Sequence, residues 1–231
     1  MVPMDGNTAL NGNLLSVWSS WYKLDYPKDR LKFIFAVPDG SPQKDFIRSN
    51  FRRRMEVLTC QLRFTGAPQD RFLEIGGIRD ALLQRARSSD FGWFLDSDVM
   101  PPRDSIRNFL QDCADIVGGV VRVPDNRGRF RLGFGYFRPF YDFCDTIPSD
   151  FFMVDSVNTA CMFISREVMN DPRVTFKLWA IPMPDGKKLD ISEDHGYCHS
   201  AGEAGYTVWV DARVKCVHLR MWNGRIVRLE V

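Results

Sequence analysis

Phe-Gly-Trp-Phe-Leu-Asp-Ser-Asp, residues 91–98, joins a short apolar run to two aspartates that are one residue apart. The run Phe91–Leu95 has the length and composition of a buried strand, and it leads directly into Asp96 and Asp98. Ligands of open α/β sheets collect at the carboxyl ends of strands, where alternating carboxylates supply the hard oxygen ligands that Mg²⁺ and Mn²⁺ prefer. Because Asp-x-Asp is a short pattern that also occurs in solvated turns, both interpretations stay open for this stretch by itself.

Strands and helices alternate on the amino-terminal side of this stretch. Apolar runs predict strands at Leu31–Val37 and Val57–Phe64, and the segments that follow them predict helices at Asp45–Met55 and Ile75–Arg87. Such alternation over the first 120 or so residues is typical of an α/β fold with a mostly parallel sheet.

The carboxyl-terminal side is less regular. It predicts a strand at Ser156–Ser165, a Pro-rich loop at Asp171–Lys188, a helix at Asp194–Ala204 and a last strand at Tyr206–Val210, followed by a tail. This irregularity favours a mixed sheet with long functional loops. Since no linker is visible, we expect one domain over residues 1–231, divided into halves at about residues 1–123 and 124–231.

Composition narrows the classes of function. The chain has 231 residues, 45% hydrophobic and 26% charged, which suits one globular core. Its net charge of +2 argues against nucleic-acid binding by bulk charge. With only three His and no Cys-x-x-Cys pair, a metal site must depend mainly on carboxylates. The sequence has neither an apolar run of membrane-spanning length nor a signal-peptide pattern, so we expect a cytoplasmic location.

Two further features are candidates for chemistry. Glu193 and Asp194 follow Ser192 at the start of a predicted helix, where one carboxylate could act as a general base. Capping by Ser192 and stabilisation of the helix dipole by themselves explain the same residues well. His218 lies between apolar neighbours, and a structural histidine is the simpler explanation for it alone.

The order of these features carries a family resemblance. Along the chain come a strand that ends in Asp-Gly-Ser at residues 39–41, a helix opened by Gly-Ile-Arg-Asp at residues 77–80, the Asp-x-Asp motif, the Glu-Asp pair, a strand at Gly205–Asp211, and His218. From about Val2 to His218, this order resembles glycosyltransferases of the GT-A fold, and it is similar to the inverting, metal-dependent family 2 glycosyltransferases.

The resemblance implies a fold and an activity. The fold would be α/β, with a mixed, mostly parallel central sheet flanked by helices. The enzyme would be a hexosyltransferase that moves a sugar from a nucleotide-diphosphate sugar, such as a UDP- or GDP-sugar, to an acceptor hydroxyl with Mn²⁺ or Mg²⁺. Residues 1–123 would form the nucleotide-sugar-binding half, and residues 124–231 the acceptor and catalytic half.

The resemblance also implies roles for individual residues. Asp194 would be the general base, supported by Glu193, and His218 would bind the metal together with Asp96 and Asp98. The nucleotide sugar would be bound by residues in the first half: Pro3, Asn7, Asp39, Arg79 and Asp96.

An Arg- and aromatic-rich stretch, Asn126–Tyr141, points to the acceptor side. It contains no acidic residue, and interleaved Arg and aromatic side chains can stack on sugars or bases and pair with phosphates. Arg131, Tyr136 and Arg138 are the candidates here, together with His195 on the later helix. A β-hairpin that packs its aromatics into the core is an equal alternative. The acceptor would be a glycan, with modified nucleic acid as the less favoured alternative.

Two departures and two rival functions remain. The chain begins almost at the loop that should follow the first strand, and the Gln-x-x-Arg-Trp signature of processive synthases is absent, which disfavours a processive polysaccharide synthase. A sugar nucleotidyltransferase would show a Gly-rich loop with Arg and Lys, which Pro3–Asn11 lacks. A non-catalytic relative that binds nucleotide sugars or glycans is the second rival.

Overall fold

The structure is a computed structural model that describes residues 2–3, 11–41, 43–50, 55–60, 68–124, 129–137, 142–182, 186, 188–222 and 225–231. The elements of the first half are β1 (Val2–Pro3), α1 (Asn11–Tyr22), β2 (Phe33–Pro38), α2 (Gln43–Asn50), β3 (Met55–Cys60), α3 (Pro68–Ala86), β4 (Phe91–Leu95), β5 (Val99–Met100), α4 (Ser105–Asp112), β6 (Ile116–Val120) and β7 (Arg122–Pro124).

The second half consists mainly of strands. Its elements are β8 (Phe130–Leu132), β9 (Phe134–Tyr136), β10 (Asp142–Phe143), β11 (Phe151–Val154), β12 (Ser156–Val157), β13 (Cys161–Ser165), α5 (Arg166–Asn170), β14 (Trp179–Pro182), β15 (Lys188–Ile191), α6 (Glu193–Glu203), β16 (Val208–Lys215), β17 (Val217–Trp222) and β18 (Arg225–Leu229).

The predicted mixed α/β architecture is confirmed. β1, β2 and β3 form a parallel sheet, and β11, β16, β6, β13 and β4 form a five-stranded mixed sheet in that order. Within the second sheet, β16 and β6 are parallel, whereas the other pairs are antiparallel.

Helices cover both faces of the five-stranded sheet. Successive side chains of a strand point to opposite faces, so Phe94 of β4 joins one hydrophobic cluster and Leu95 joins the other. The first cluster contains side chains of α3 and α6, and the second contains side chains of α1 and α4. The helix that carries Glu193 and Asp194 therefore packs on the same face as α3, where Arg79 lies.

Several sequence-based boundaries were wrong. Met55 begins β3 and does not end a helix. The stretch predicted as loop, 171–188, contains β14, which pairs with β15 directly before α6. The last strand does not end at Val210, because β16 runs to Lys215 and the supposed tail forms β17 and β18. The prediction missed these strands because their residues show no clear alternation of apolar and polar types. Each forms a strand because it hydrogen-bonds to another strand.

The β17 strand is important for the site. It pairs antiparallel with β5, which places His218 opposite Val99 and so beside the residue that follows Asp98. The backbone N–H of Leu219 also donates to the carbonyl oxygen of Asp98 at 2.8 Å. The end of the chain is thereby held against the loop that carries the Asp-x-Asp motif. Among the described residues, none of the helices is long and apolar enough to cross a membrane.

Candidate active site

The candidate site lies just beyond the carboxyl end of β4. Asp96 and Asp98 leave this strand, β17 brings His218, α3 brings Arg79, and the first turn of α6 brings the Glu-Asp pair. Most of these side chains are buried: the exposed fraction of the residue is 6% for Arg79, 4% for Glu193, 7% for Asp194 and 3% for His218. Because burying charge is unfavourable without compensation, the contacts among these groups decide their ionisation.

Asp98 and His218 form the first group. The Nε2 atom of His218 lies 3.3 Å from Oδ2 of Asp98, and Nδ1 lies 2.6 Å from the backbone oxygen of Arg122. Since a carbonyl oxygen only accepts, Nδ1 carries a proton, and in the protonated ring Nε2 also carries one, directed towards the Asp98 carboxylate. Burial lowers the pKa of His218, but the hydrogen bond and charge of Asp98 outweigh it and raise the pKa overall. Arg220 also lies near, with Nη1 3.5 Å from the same carboxylate oxygen.

Arg79 joins the second group. Its Nη1 contacts Oε1 of Glu193 at hydrogen-bonding distance, and its Nη2 lies 3.8 Å from Oδ1 of Asp96. Burial raises the pKa of Glu193 to about 7, with the Arg79 charge opposing and the neighbouring Asp194 reinforcing the rise. Burial also raises the pKa of Asp96, again against the charge of Arg79. One guanidinium therefore spans the end of β4 and the start of α6.

Asp194 has a different environment from Glu193. Its Oδ1 accepts hydrogen bonds from the Ser192 hydroxyl and, at 2.9 Å, from the backbone N–H of His195. Burial alone would raise the pKa of Asp194, but His195, Arg79 and these hydrogen bonds lower it overall. The predicted capping role of Ser192 takes another form, because its hydroxyl bonds the Asp194 carboxylate and makes no side-chain cap hydrogen bond. Of the adjacent carboxylates, Asp194 is thus the one held ionised, as a proton acceptor requires.

The other predicted donor residues lie at the edge of the parallel sheet. Asp39 is exposed in the turn after β2, where its Oδ1 accepts from the backbone N–H of Gly40 at 3.1 Å. Pro3 lies in β1 opposite Ala36. Asn7 lies outside the described residues.

The predicted acceptor residues are spread over β8, β9 and α6. Arg131 pairs with Asp145 at 2.6 Å, and the hydroxyl of Tyr136 donates to the backbone oxygen of Met153 at 3.2 Å. His195 is buried, and burial lowers its pKa. Arg138 lies outside the described residues.

The described part of this aromatic stretch forms β-structure. β8 pairs with β7, β9 pairs with β10 and β12, and the Phe134 side chain is fully buried in the core. Core packing therefore accounts for some of these aromatic residues, whereas Tyr136 remains 38% exposed.

Sequence reasoning missed a cluster of three rings formed by His199, Trp179 and Phe137. His199 lies one helical turn after His195, and its ring centroid is 4.3 Å from that of Trp179 and 5.5 Å from that of Phe137. Trp179 lies in the segment that was predicted to be a loop, so its contact with α6 was not expected. The sequence did contain one sign of this packing, a glycine inside the predicted helix. Gly196 has no side chain, which allows the backbone segment before β14 to approach α6 closely.

The described residues contain no group of three or more His, Cys, Asp or Glu side chains arranged to hold a metal. They do contain the pair formed by Asp98 and His218, with Asp96 nearby but next to Arg79. A carboxylate and a neutral imidazole nitrogen are suitable ligands for Mn²⁺. Since Mg²⁺-type ions in phosphate sites usually use one or two protein ligands plus phosphate oxygens and waters, the pair fits such an ion.

No protein-family model matches the sequence, and no curated protein is significantly similar to it. Solved glycosyltransferase structures do match the fold. The S. aureus TarS 1–349 structure in complex with UDP-GlcNAc superposes with a TM-score of 0.55 at 16% identity, covering 90% of this chain and 54% of that chain. TarS 1–349 in complex with UDP gives a TM-score of 0.52 at 13% identity, over 91% of this chain and 56% of that one.

A third neighbour is the mannosyltransferase PcManGT from Pyrobaculum calidifontis in complex with GDP-Man and Mn²⁺. Its TM-score is 0.52 at 15% identity, covering 91% of this chain and 55% of that chain. The chain thus spans about half the length of each of these three structures. At these identities the likeness establishes the fold, which is GT-A-like as found in glycosyltransferases.

Proposed function

We propose that this protein is a glycosyltransferase that moves a sugar from a nucleotide-diphosphate sugar to an acceptor hydroxyl. One observation carries the proposal: Arg79 joins the carboxylates of two motifs that are far apart in sequence, Asp96 after β4 and Glu193 at the start of α6. The contact brings a candidate donor site and a candidate base within one buried cluster. The neighbours support the donor class, because the TarS structures contain UDP-GlcNAc or UDP and the PcManGT structure contains GDP-Man.

The donor would be bound at the carboxyl ends of β2 and β4. Asp39, Pro3 and Asn7 are proposed for the nucleotide side by the family resemblance, and Asp96 for the sugar side. A bound Mn²⁺ or Mg²⁺ would neutralise the charge that develops on the departing nucleotide diphosphate. The residues proposed to hold it are Asp98 and His218, whose Nδ1–H is already committed to a backbone carbonyl, so that Nε2 is directed towards the ion.

Asp194 is proposed as the general base. Its ionised carboxylate would accept the proton of the acceptor hydroxyl while that hydroxyl attacks the anomeric carbon from the face opposite the leaving group. The Ser192 hydroxyl and the His195 backbone N–H fix the orientation of this carboxylate before any substrate is bound. The inverting outcome, and the hexosyltransferase class, follow from the family resemblance.

The acceptor is proposed to be a glycan bound over residues 124–231. Tyr136 is exposed near this side, and ring faces such as those of Trp179 and Phe137 suit sugars. Nucleic acid is not favoured, since Arg131 is already paired with Asp145. We further propose that residues 1–231 work as one domain, with the donor bound mainly by residues 1–123.

A donor screen tests the proposal. The protein is incubated with Mn²⁺ and a panel of UDP- and GDP-sugars, and released nucleotide is measured. If no donor releases nucleotide and none binds in a metal-dependent way, the proposed glycosyltransferase activity is rejected. The rival function of a non-catalytic nucleotide-sugar-binding protein is then rejected as well.

Two substitutions then divide the site. D98N should abolish metal-dependent donor binding, while D25N, the same change in an exposed ion pair with Arg107 (2.8 Å), should not. D194N keeps the oxygen that accepts from Ser192 and should spare donor binding but remove transfer. Unchanged transfer by D194N would reject Asp194 as the base. A sugar nucleotidyltransferase would instead join a sugar phosphate to the nucleotidyl group of a nucleoside triphosphate and release pyrophosphate, so pyrophosphate release from that pair of substrates would identify it.

A further inference from the structure

We infer that Arg79 is a positioning residue that holds the first turn of α6, and thereby the base Asp194, in register with the Asp-x-Asp loop. This inference rests on the proposed function. It assigns Arg79 to the support of the site, in place of the direct donor contact that the family resemblance implies.

The burial and the contacts of Arg79 carry the inference. Among the described residues, Arg79 is the only Arg or Lys that is buried. Its guanidinium is directed to Glu193 on one side and to Asp96 on the other. A buried guanidinium with two carboxylate neighbours is already compensated, and its planar fork can bind both at fixed angles. By contrast, Arg220, which lies beside Asp98, has a side chain that is 42% exposed.

The helix around Arg79 is built to bring α3 close to α6. Gly76 precedes Arg79 by one helical turn, and a Cβ there would lie 2.7 Å from the backbone oxygen of Phe176 and 3.4 Å from Cβ of Glu193. On the next turn, Asp80 accepts from the backbone N–H of Phe176 at 3.4 Å. Gly76, Arg79 and Asp80 therefore lie on one face of α3 and fix both the start of α6 and the segment that precedes β14.

The position of Glu193 explains why this contact matters for transfer. Glu193 is the first residue of α6, and Asp194 is the next. Holding the Glu193 carboxylate therefore sets the position of the peptide that leads to Asp194. Because a shift of about 1 Å in a reacting group can reduce the rate about 100-fold, loss of Arg79 should reduce turnover much more than donor affinity.

A stability cycle tests the linkage without any activity. Measured at about pH 9, where the Glu193 carboxyl of the wild type is ionised, R79M should lower the thermal midpoint by about 10 °C, because the buried carboxylate must then stay uncompensated or take up a proton. Adding E193Q to R79M removes that charge and should recover at least half of the loss. The matched control is R85M, which removes an exposed ion pair between Arg85 and Glu56 from the same helix and should shift the midpoint by less than about 2 °C. If the double variant is no more stable than R79M, Arg79 and Glu193 are not coupled and the inference is wrong.

Kinetics then test the positioning role with whichever donor the wild type turns over. We expect R79M to lower kcat about 100-fold while the nucleotide-sugar Kd changes less than about threefold. R79K keeps the charge but not the fork, so it should fold like the wild type and recover part of kcat. Parallel loss of donor binding and kcat in R79K and R79M would make Arg79 a donor ligand and overturn the inference. If the wild type turns over no donor, the proposed function fails, whereas the stability cycle still decides whether Arg79 holds Glu193.

Discussion

The close approach of α6 to the segment before β14 makes a sharp prediction at Gly196. A Cβ placed on Gly196 would lie 1.9 Å from the backbone oxygen of Lys177 and 2.7 Å from Cδ1 of Trp179, whereas real Cβ contacts are essentially never under 3.0 Å. In G196A the helix and the segment must therefore separate by about 1 Å, which a close-packed interior resists. The segment cannot move freely, because Thr175 is hydrogen-bonded to Ser200 (3.2 Å).

The magnitude follows from two opposing effects. Overpacking should destabilise G196A by about 3 kcal/mol, and the better helix propensity of alanine should return about 1 kcal/mol. We expect a net loss of about 2 kcal/mol, which lowers the thermal midpoint by roughly 5 °C for a chain of this size. G202A is the matched control on the same helix, because nothing lies within 4 Å of a Cβ at Gly202. This control should be neutral or stabilised by up to about 1 kcal/mol.

The same displacement should reach the chemistry. Gly196 lies in the first turn of α6, two residues after Asp194, so separation by about 1 Å should reduce transfer about 100-fold in G196A but not in G202A. Urea or thermal unfolding and the nucleotide-release assay measure the two effects. If G196A is as stable and as active as G202A, the close packing of α6 against residues 177–179 is wrong, and so is the reasoning that places the base by it.

Three further predictions concern other buried polar groups. Burial and the charge of Asp211 raise the pKa of Asp112 to about 6. The folded state therefore binds a proton that the unfolded state has released, so stability should fall as the pH rises from about 4 to 6, by up to about 3 kcal/mol for this group. Urea unfolding at several pH values should show a smaller fall for D112N, and an equal fall would contradict the assignment. H218N keeps a hydrogen-bond donor for the Arg122 carbonyl but removes Nε2. The affinity for Mn²⁺ in the presence of nucleotide, measured by electron paramagnetic resonance, should therefore fall at least about tenfold. An unchanged affinity would show that His218 is not a metal ligand. The buried hydroxyl of Tyr197 has no hydrogen-bond partner among the described residues. Y197F should therefore unfold at the wild-type midpoint or be up to about 1 kcal/mol more stable, and a clear loss of stability would reveal a partner for that hydroxyl.

The elements that carry their own apolar pattern were predictable from sequence. β4 occupies Phe91–Leu95 in both the prediction and the structure, and α6 begins one residue before the predicted Asp194. A short run of large apolar residues before a pair of aspartates needs no distant information, because its composition favours a strand and the charged residues end it. The same holds for α3, although its observed start at Pro68 precedes the predicted one at Ile75.

Elements stabilised by a pairing partner were not predictable in this way. Trp179–Pro182 contains a proline and has no clear alternation, yet it forms β14 because β15 lies beside it. β17 and β18 likewise pair with each other, and β17 also pairs with β5. In each case the strand is defined by hydrogen bonds to another segment, which a window of neighbouring residues does not contain.

The sequence by itself determined which residue types stand at the ends of which elements: the aspartates after β4, the carboxylates at the start of α6, and a histidine near the end. Only the tertiary structure decided which of them meet. Arg79 and Glu193, separated by 114 positions, share a buried contact, and His218 reaches Asp98 because β17 pairs with β5. The physical reason is that the pKa of a carboxyl group depends on its burial and on the charges near it in space. The difference in pKa between Glu193 and Asp194 therefore exists only in the folded chain.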